Sequence, residues 1–188
     1  MKFQFLLKTI YVPLIVTGVF SIFLSGVCIA EDIILTGNQV LLIENMTYTN
    51  KGNINLYDNS KLIIRNSTFN FVQDYHEQYW IYINDSASFI IEDGSILTSD
   101  YRFYTSMDGS SKVTVNNSVA LNMSSGRGAI FQPNQNSILE ITNSNIDGVG
   151  DLAGYSASSK ATITIQNSTM EAVSLVFPAT SSVTFKWF

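Results

Sequence analysis

The chain has 188 residues, a net charge of −5 and a polar set dominated by Asn, Ser and Thr. This length predicts one domain. The acidic balance and the lack of a basic stripe exclude nucleic acid as a partner. The single cysteine and single histidine cannot build a disulfide or a zinc site, so we expect no metal and no cofactor.

Residues 1–30 have the pattern of a targeting segment. Lys2 and Lys8 precede an uncharged run that extends to Ala30. Cys28 and Ala30 are small residues placed as at a signal-peptidase cleavage site, before Glu31. The run is also long enough to span a bilayer, so a retained anchor is the alternative. We therefore predict a hydrophobic signal or anchor helix, membrane contact only through it, and an extracellular or cell-surface location.

One short motif recurs about every two dozen residues, a period typical of a solenoid. Each copy has an apolar residue at every second position, which predicts a strand with one buried face. The inward pairs are Leu62/Ile64, Phe89/Ile91, Val113/Val115, Leu139/Ile141 and Ile163/Ile165.

Two further short strands fit into each period, before and after this core strand. We predict an all-β, right-handed parallel β-helix over residues 31–188, with three short strands per coil and about five to six coils, the last incomplete. A β-sandwich also has short strands, but it needs no fixed motif. In the β-helix, equivalent residues of successive coils must stack in one file, as predicted for Ile64, Ile91, Val115, Ile141 and Ile165.

An Asn or Asp follows each core strand. These residue types tolerate the left-handed conformation that a tight bend requires. We predict that they stack as an internal amide ladder, formed by Asn45, Asn66, Asp93, Asn117, Asn143 and Asn167.

Asn-x-Ser/Thr sequons occur six times, and three of them, at Asn45, Asn66 and Asn167, coincide with the predicted ladder. A glycan would be hard to place there. Asn84 and Asn116 are predicted to point outward and are therefore the better acceptors if the source organism glycosylates its surface proteins.

The segment 71–80 contains the residues that most resemble a catalytic group. Asp74, His76 and Glu77, with Arg102 on the next coil, are an acid and base set suited to sugar chemistry. Asp58, Asp85 and Asp108 also recur before the core strands. We favour a solvated loop with solvated turn acids and predict no catalytic residue, because the outward positions of the coils are mostly Thr, Ser, Asn and Ile.

Trp80 and Tyr104 occupy equivalent positions on successive coils, and Tyr82 lies beside them. Strand alternation predicts that all three rings point outward, where they can stack on a sugar or on each other. They are the predicted binding residues.

The segment Leu62-Ile63-Ile64-Arg65-Asn66-Ser67-Thr68 and its copies resemble right-handed parallel β-helix repeat proteins of archaeal and bacterial surfaces, within the pectate-lyase-like superfamily. The resemblance implies a non-catalytic exported protein with a structural, adhesive or glycan-contacting role. Its expected partners are surface polysaccharide or another cell-surface protein. A polysaccharide lyase, a glycoside hydrolase or a truncated remnant of one is the alternative. The last coil ends at Trp187-Phe188 without a polar cap, so we also expect end-to-end stacking of the solenoid on a partner there.

Overall fold

The computed structural model describes residues 31–122, 130–153, 160–176 and 181–186, together with two short strands nearer the N-terminus. The described part is an all-β parallel solenoid, as predicted. The rest of the predicted signal or anchor helix, and Trp187-Phe188, lie outside the described residues. Within the described part, no helix is long and apolar enough to cross a bilayer.

The core strands of the motif form one eight-stranded parallel sheet. Each coil contributes one strand, and hydrogen bonds run only between successive coils. The strands of this core sheet are β1 (Val19–Ser21), β4 (Val40–Glu44), β7 (Lys61–Arg65), β10 (Ser88–Glu92), β13 (Lys112–Asn116), β16 (Ile138–Thr142), β18 (Thr162–Gln166) and β20 (Ser182–Lys186).

The strands after the core strand stack in a second file, and the strands before it stack in a third. The second contains β2 (Val27–Ile29), β5 (Thr47–Asn50), β8 (Thr68–Phe71), β11 (Ile96–Thr98) and β14 (Val119–Asn122). The third contains β3 (Ile33–Leu35), β6 (Ile54–Leu56), β9 (Trp80–Ile83), β12 (Tyr104–Met107) and β15 (Ile130–Pro133). The long strand β17 (Asn145–Ala153) pairs with both files, and β19 (Thr169–Val176) pairs with β17.

The register of the core sheet confirms the predicted file. Ile64 pairs with Ile91, Ile91 with Val115, Val115 with Ile141 and Ile141 with Ile165. All five side chains are at most 2% exposed. Burying a side chain of this size stabilises the fold by about 1.5–3 kcal/mol relative to leaving it in water. Each coil therefore adds its own share of the core.

The six residues predicted to form the amide ladder all adopt positive φ, between 44° and 57°. Their backbone geometry is the left-handed bend expected of Asn and Asp. The prediction of an internal ladder is wrong, however, because all six side chains are exposed. Among the described residues, only Asn66 Nδ2 and Asn45 Oδ1 bond to each other along this line, at 2.7 Å.

The internal ladder is instead built from the serines that follow five of the six bends. At four of these bends the left-handed Asn is exposed and the residue directly after it is a buried serine. Each hydroxyl donates to a carbonyl of its own coil, as from Ser144 Oγ to Thr142 O at 2.7 Å. Among the described contacts, all of these hydroxyls except that of Ser118 also accept a backbone N–H from the preceding coil, as Ser144 Oγ accepts the N–H of Ser118 at 3.2 Å. This serine ladder comprises Ser67, Ser95, Ser118, Ser144 and Ser168.

The bend before each core strand uses a second line of left-handed residues, at Gly37, Asp58, Asp85, Gly109 and Gln135. Asp58 Oδ2 accepts the N–H of Gly37 at 2.7 Å, and Asp85 Oδ2 accepts the N–H of Asp58 at 3.1 Å. A Cβ at position 109 would lie 2.7 Å from the carbonyl oxygen of Asp85, so glycine is required there. Asp58 and Asp85 thus bind backbone, and Asp108 occupies a different position in its turn.

The exposure of the bend residues also bears on which Asn-x-Ser/Thr sequons are accessible to a glycan. Asn45, Asn66 and Asn167 are exposed, whereas Asn84 and Asn116 are half-buried. A glycan on these three bend residues would therefore meet solvent, so the expectation that it would be hard to place there is wrong. Glycosylation at Asn84 and Asn116 stays a prediction.

We expect Ser144→Ala to lower the free energy of unfolding by about 1–3 kcal/mol, because it leaves the buried N–H of Ser118 without an acceptor. Ser137→Ala is the matched control, since the Ser137 hydroxyl is equally buried but has no hydrogen-bond partner in the structure. Urea unfolding of the two variants measures the difference. Equal stability of the two would contradict the serine ladder.

We expect Asn143→Leu to destabilise the protein by about 1–2 kcal/mol through backbone strain, since Leu disfavours the φ of 49° found here. The side chain is exposed, so no buried amide is lost. Asn143→Gly removes the same amide and tolerates the bend, and its melting temperature should stay close to that of the parent. Equal destabilisation by Gly and Leu would show that the amide, not the bend, matters.

Candidate functional site

The candidate site lies on the outer face of β9 and β12 and on the 72–79 loop, which connects β8 to β9. Strand alternation buries Ile81 and Ile83 and turns Trp80 and Tyr82 outward. The same alternation on the next coil turns Tyr104 outward. The site therefore begins as a direct consequence of the two-residue period.

The structure brings the three predicted binding residues into one group, here called the aromatic cluster (Trp80, Tyr82 and Tyr104). The ring centroids of Trp80 and Tyr104, which are paired in register, are 4.4 Å apart with planes tilted by 37°. The rings of Trp80 and Tyr82 stack at 5.6 Å with planes 9° apart. All three side chains are half-buried. They form a continuous aromatic surface on a rigid sheet.

Gln73 holds the 72–79 loop against the solenoid. Its side chain is only 3% exposed. Its Nε2 donates to Tyr101 O at 3.0 Å, and its Oε1 accepts the N–H of Tyr79 at 3.0 Å. A weaker bond reaches Ser99 Oγ at 3.3 Å. The loop is therefore fixed to the next coil through one buried amide, which the sequence analysis did not identify.

Three of the four catalytic-looking residues occupy two separate ion pairs, and the fourth, His76, makes a hydrogen bond. Asp74 Oδ1 bonds to Lys51 Nζ at 2.9 Å, one coil back. Glu77 pairs with Arg102, one coil forward. His76 Nδ1 accepts the backbone N–H of Arg102 at 3.1 Å. Each side chain thus has a partner that ties the loop to a neighbouring coil.

The Lys51 ammonium, through its hydrogen bond and charge, holds the pKa of Asp74 below its ordinary value. The pair therefore stabilises the fold above the ordinary carboxyl pKa, and this contribution is lost as the pH falls through the lowered one. A general acid that works near neutral pH needs a raised pKa instead. Among residues 31–122, 130–153, 160–176 and 181–186, no cluster of three His, Cys, Asp or Glu side chains is suited to hold a metal ion.

The ion pair of the loop supports the aromatic cluster. The Arg102 guanidinium lies 5.7 Å from the centroid of the Tyr104 ring, within the range of a cation–π contact. Trp80 Nε1 donates to the carbonyl oxygen of Glu77 at 3.2 Å. Glu77 and Arg102 therefore position the rings. The sequence pattern does not predict these contacts, because they depend on the path of the loop.

Polar groups border the rings. Burial is the larger cause of the raised pKa of Tyr82, and the charge of Tyr57 raises it further. The Tyr82 hydroxyl therefore keeps its proton at and above neutral pH. Tyr57 is 37% exposed. Arg102 adds N–H donors beside Tyr104. The surface thus combines apolar faces with hydroxyl and guanidinium donors.

Comparison of the chain with protein-family models, with curated proteins and with solved structures finds no match.

We expect Gln73→Ala to release the 72–79 loop, because it leaves the N–H of Tyr79 without its acceptor and removes one of the two donors to the carbonyl oxygen of Tyr101. The loss should be about 1–3 kcal/mol of local stability. Hydrogen exchange at the Tyr79 amide should accelerate accordingly. Gln78→Ala is the control, since Gln78 is half-buried and bonds within the loop to Asp74. Unchanged exchange in Gln73→Ala would show that other contacts hold the loop.

Proposed function

We propose that this chain is an exported, surface-associated and non-catalytic β-helix protein that contacts glycans through the aromatic cluster. We further propose that it is a right-handed helix of the microbial surface type within the pectate-lyase-like superfamily. Its partners are then surface polysaccharide or another cell-surface protein. The observation that carries the proposal is the contact of Trp80, Tyr82 and Tyr104 on one outer face.

The chemistry of the cluster suits a sugar. A pyranose ring presents apolar C–H groups on its faces and hydroxyls around its edge. Aromatic side chains offer a large apolar area together with polar groups at their edges. The Tyr82 hydroxyl and the Arg102 guanidinium, which lies 5.7 Å from the Tyr104 ring, would supply polar partners for the hydroxyls of a stacked sugar.

The rigidity of the site supports the same proposal. Binding is weakened when side chains must be ordered on contact. Here the rings are held by strand pairing, by each other and by the Trp80–Glu77 bond. A prearranged surface of this kind loses little conformational entropy on binding.

The competing hypothesis is a polysaccharide lyase or glycoside hydrolase. It requires an acid and a base that act on one bond. Asp74 and Glu77 are engaged in different ion pairs with different coils, which gives this hypothesis less support than binding.

We expect Tyr104→Ala to weaken binding on a panel of polysaccharides about tenfold, equal to ~1.4 kcal/mol, because it removes one side of the ring surface. Trp80→Phe, which keeps a ring but loses the bond to Glu77, should have a smaller effect. Tyr75→Ala is the matched control, since Tyr75 is 61% exposed on the same loop and makes no ring contact among the described residues.

Equal binding by the native protein and Tyr104→Ala would refute the assigned site. The same incubations should return each polysaccharide with its chain length unchanged. Shortened chains, lost in Glu77→Gln, would establish the enzyme instead.

A further inference from the structure

A groove of about 430 Å³ lies away from the aromatic cluster, at the corner between the core sheet and the strands that follow it. It crosses the coils of β13, β16 and β18. We call it the amide groove. The residues that line it include Asn117, Asn143, Asn145, Asn167, Val119 and Thr169.

Three amides of this groove are available to a ligand. The side chains of Asn117, Asn143 and Asn167 are exposed and bond to no other described residue. Their backbone N–H groups are occupied by the next coil, as from Asn143 to Gln166 O at 3.0 Å. Each free amide offers two donors and one acceptor. Asn45 and Asn66 differ, because they bond to each other.

The register places these amides in line. Asn116, Thr142 and Gln166 pair across the core sheet, so the residues that follow them repeat once per coil. Parallel strands are about 4.8 Å apart, which sets the spacing of the amides. An extended peptide repeats its same-side groups at about 6.6–6.8 Å and cannot match this spacing. In an extended β-1,4-linked polysaccharide each sugar unit advances by a distance comparable to one coil. Alternate units are turned over, and an amide can pair with either edge of a unit because it both donates and accepts.

The lining residues carry no formal charge. An amide pairs with a hydroxyl group in either direction, as donor or as acceptor, and Val119 provides apolar contact. A neutral ligand rich in hydroxyl groups fits this surface better than a charged one.

We propose that the amide groove binds a neutral, extended polysaccharide along the solenoid axis, with one sugar unit opposite each of Asn117, Asn143 and Asn167. That the ligand of the amide groove is a glycan rests on the proposed function. Its residues are separate from the aromatic cluster, so the two sites can be tested independently.

The test is titration of the full chain with linear β-1,4-linked hexamers of glucose and of N-acetylglucosamine, and with hexagalacturonate as an acidic comparison. We expect one neutral hexamer to bind more tightly than its trimer, and hexagalacturonate to bind more weakly. The double variant Asn117→Gly/Asn143→Gly, which keeps both bends, should weaken binding at least tenfold. Asn66→Gly, outside the groove, should not change it.

The outcomes separate the two sites. Loss of binding in the glycine double variant but not in Tyr104→Ala supports the groove and counts against the aromatic cluster as the site for this ligand. Loss in Tyr104→Ala alone overturns the groove and leaves the proposed function standing. No binding of either neutral hexamer to the native chain, or preference for hexagalacturonate, also overturns the groove. A melting temperature of the double variant near that of the parent excludes unfolding as the cause.

Discussion

The constraint on which the rest of the structure depends is the register between successive coils. A coil can add to the solenoid only if its inward residues meet those of the coil before it, as Ile64 meets Ile91. Two features maintain this register at five of the six bends that follow the core strands. A left-handed residue turns the chain, and the buried serine after it joins the two coils through hydrogen bonds, as Ser144 does with Ser118. A one-residue slip would expose the core face of a strand and separate the serine from its partners.

The same register organises the surface. Any residue type that recurs at an outward position becomes a line along the solenoid, at a spacing set by the sheet and not by the side chains. Trp80 and Tyr104 form such a pair on one face, and the bend amides form another line at a corner. The 72–79 loop breaks the regularity at one place. Its ion pairs join three coils, and so it shapes the surface around the rings.

Much of the candidate site could be predicted because outward aromatic residues follow from alternation and coil spacing alone. The roles of Glu77 and Arg102 could not be predicted, because they depend on how an irregular loop folds back over the sheet. Gln73 was missed for a related reason, since a polar residue in a loop gives no signal that it will be buried. Loops lack the periodicity that allows strands to be identified. Only the contacts in the folded structure show which roles their side chains have.

The sequence by itself determined the solenoid, the strand that repeats in it and the file of inward residues, because strand periodicity and coil periodicity are both visible in the order of amino acids. It also determined which residues adopt the left-handed bend after each core strand, since Asn and Asp tolerate that geometry. Only the tertiary structure decided which neighbour of the bend is buried. A single backbone rotation sends Asn143 to the solvent and Ser144 to the interior, and both residues are polar, so their types do not reveal the direction.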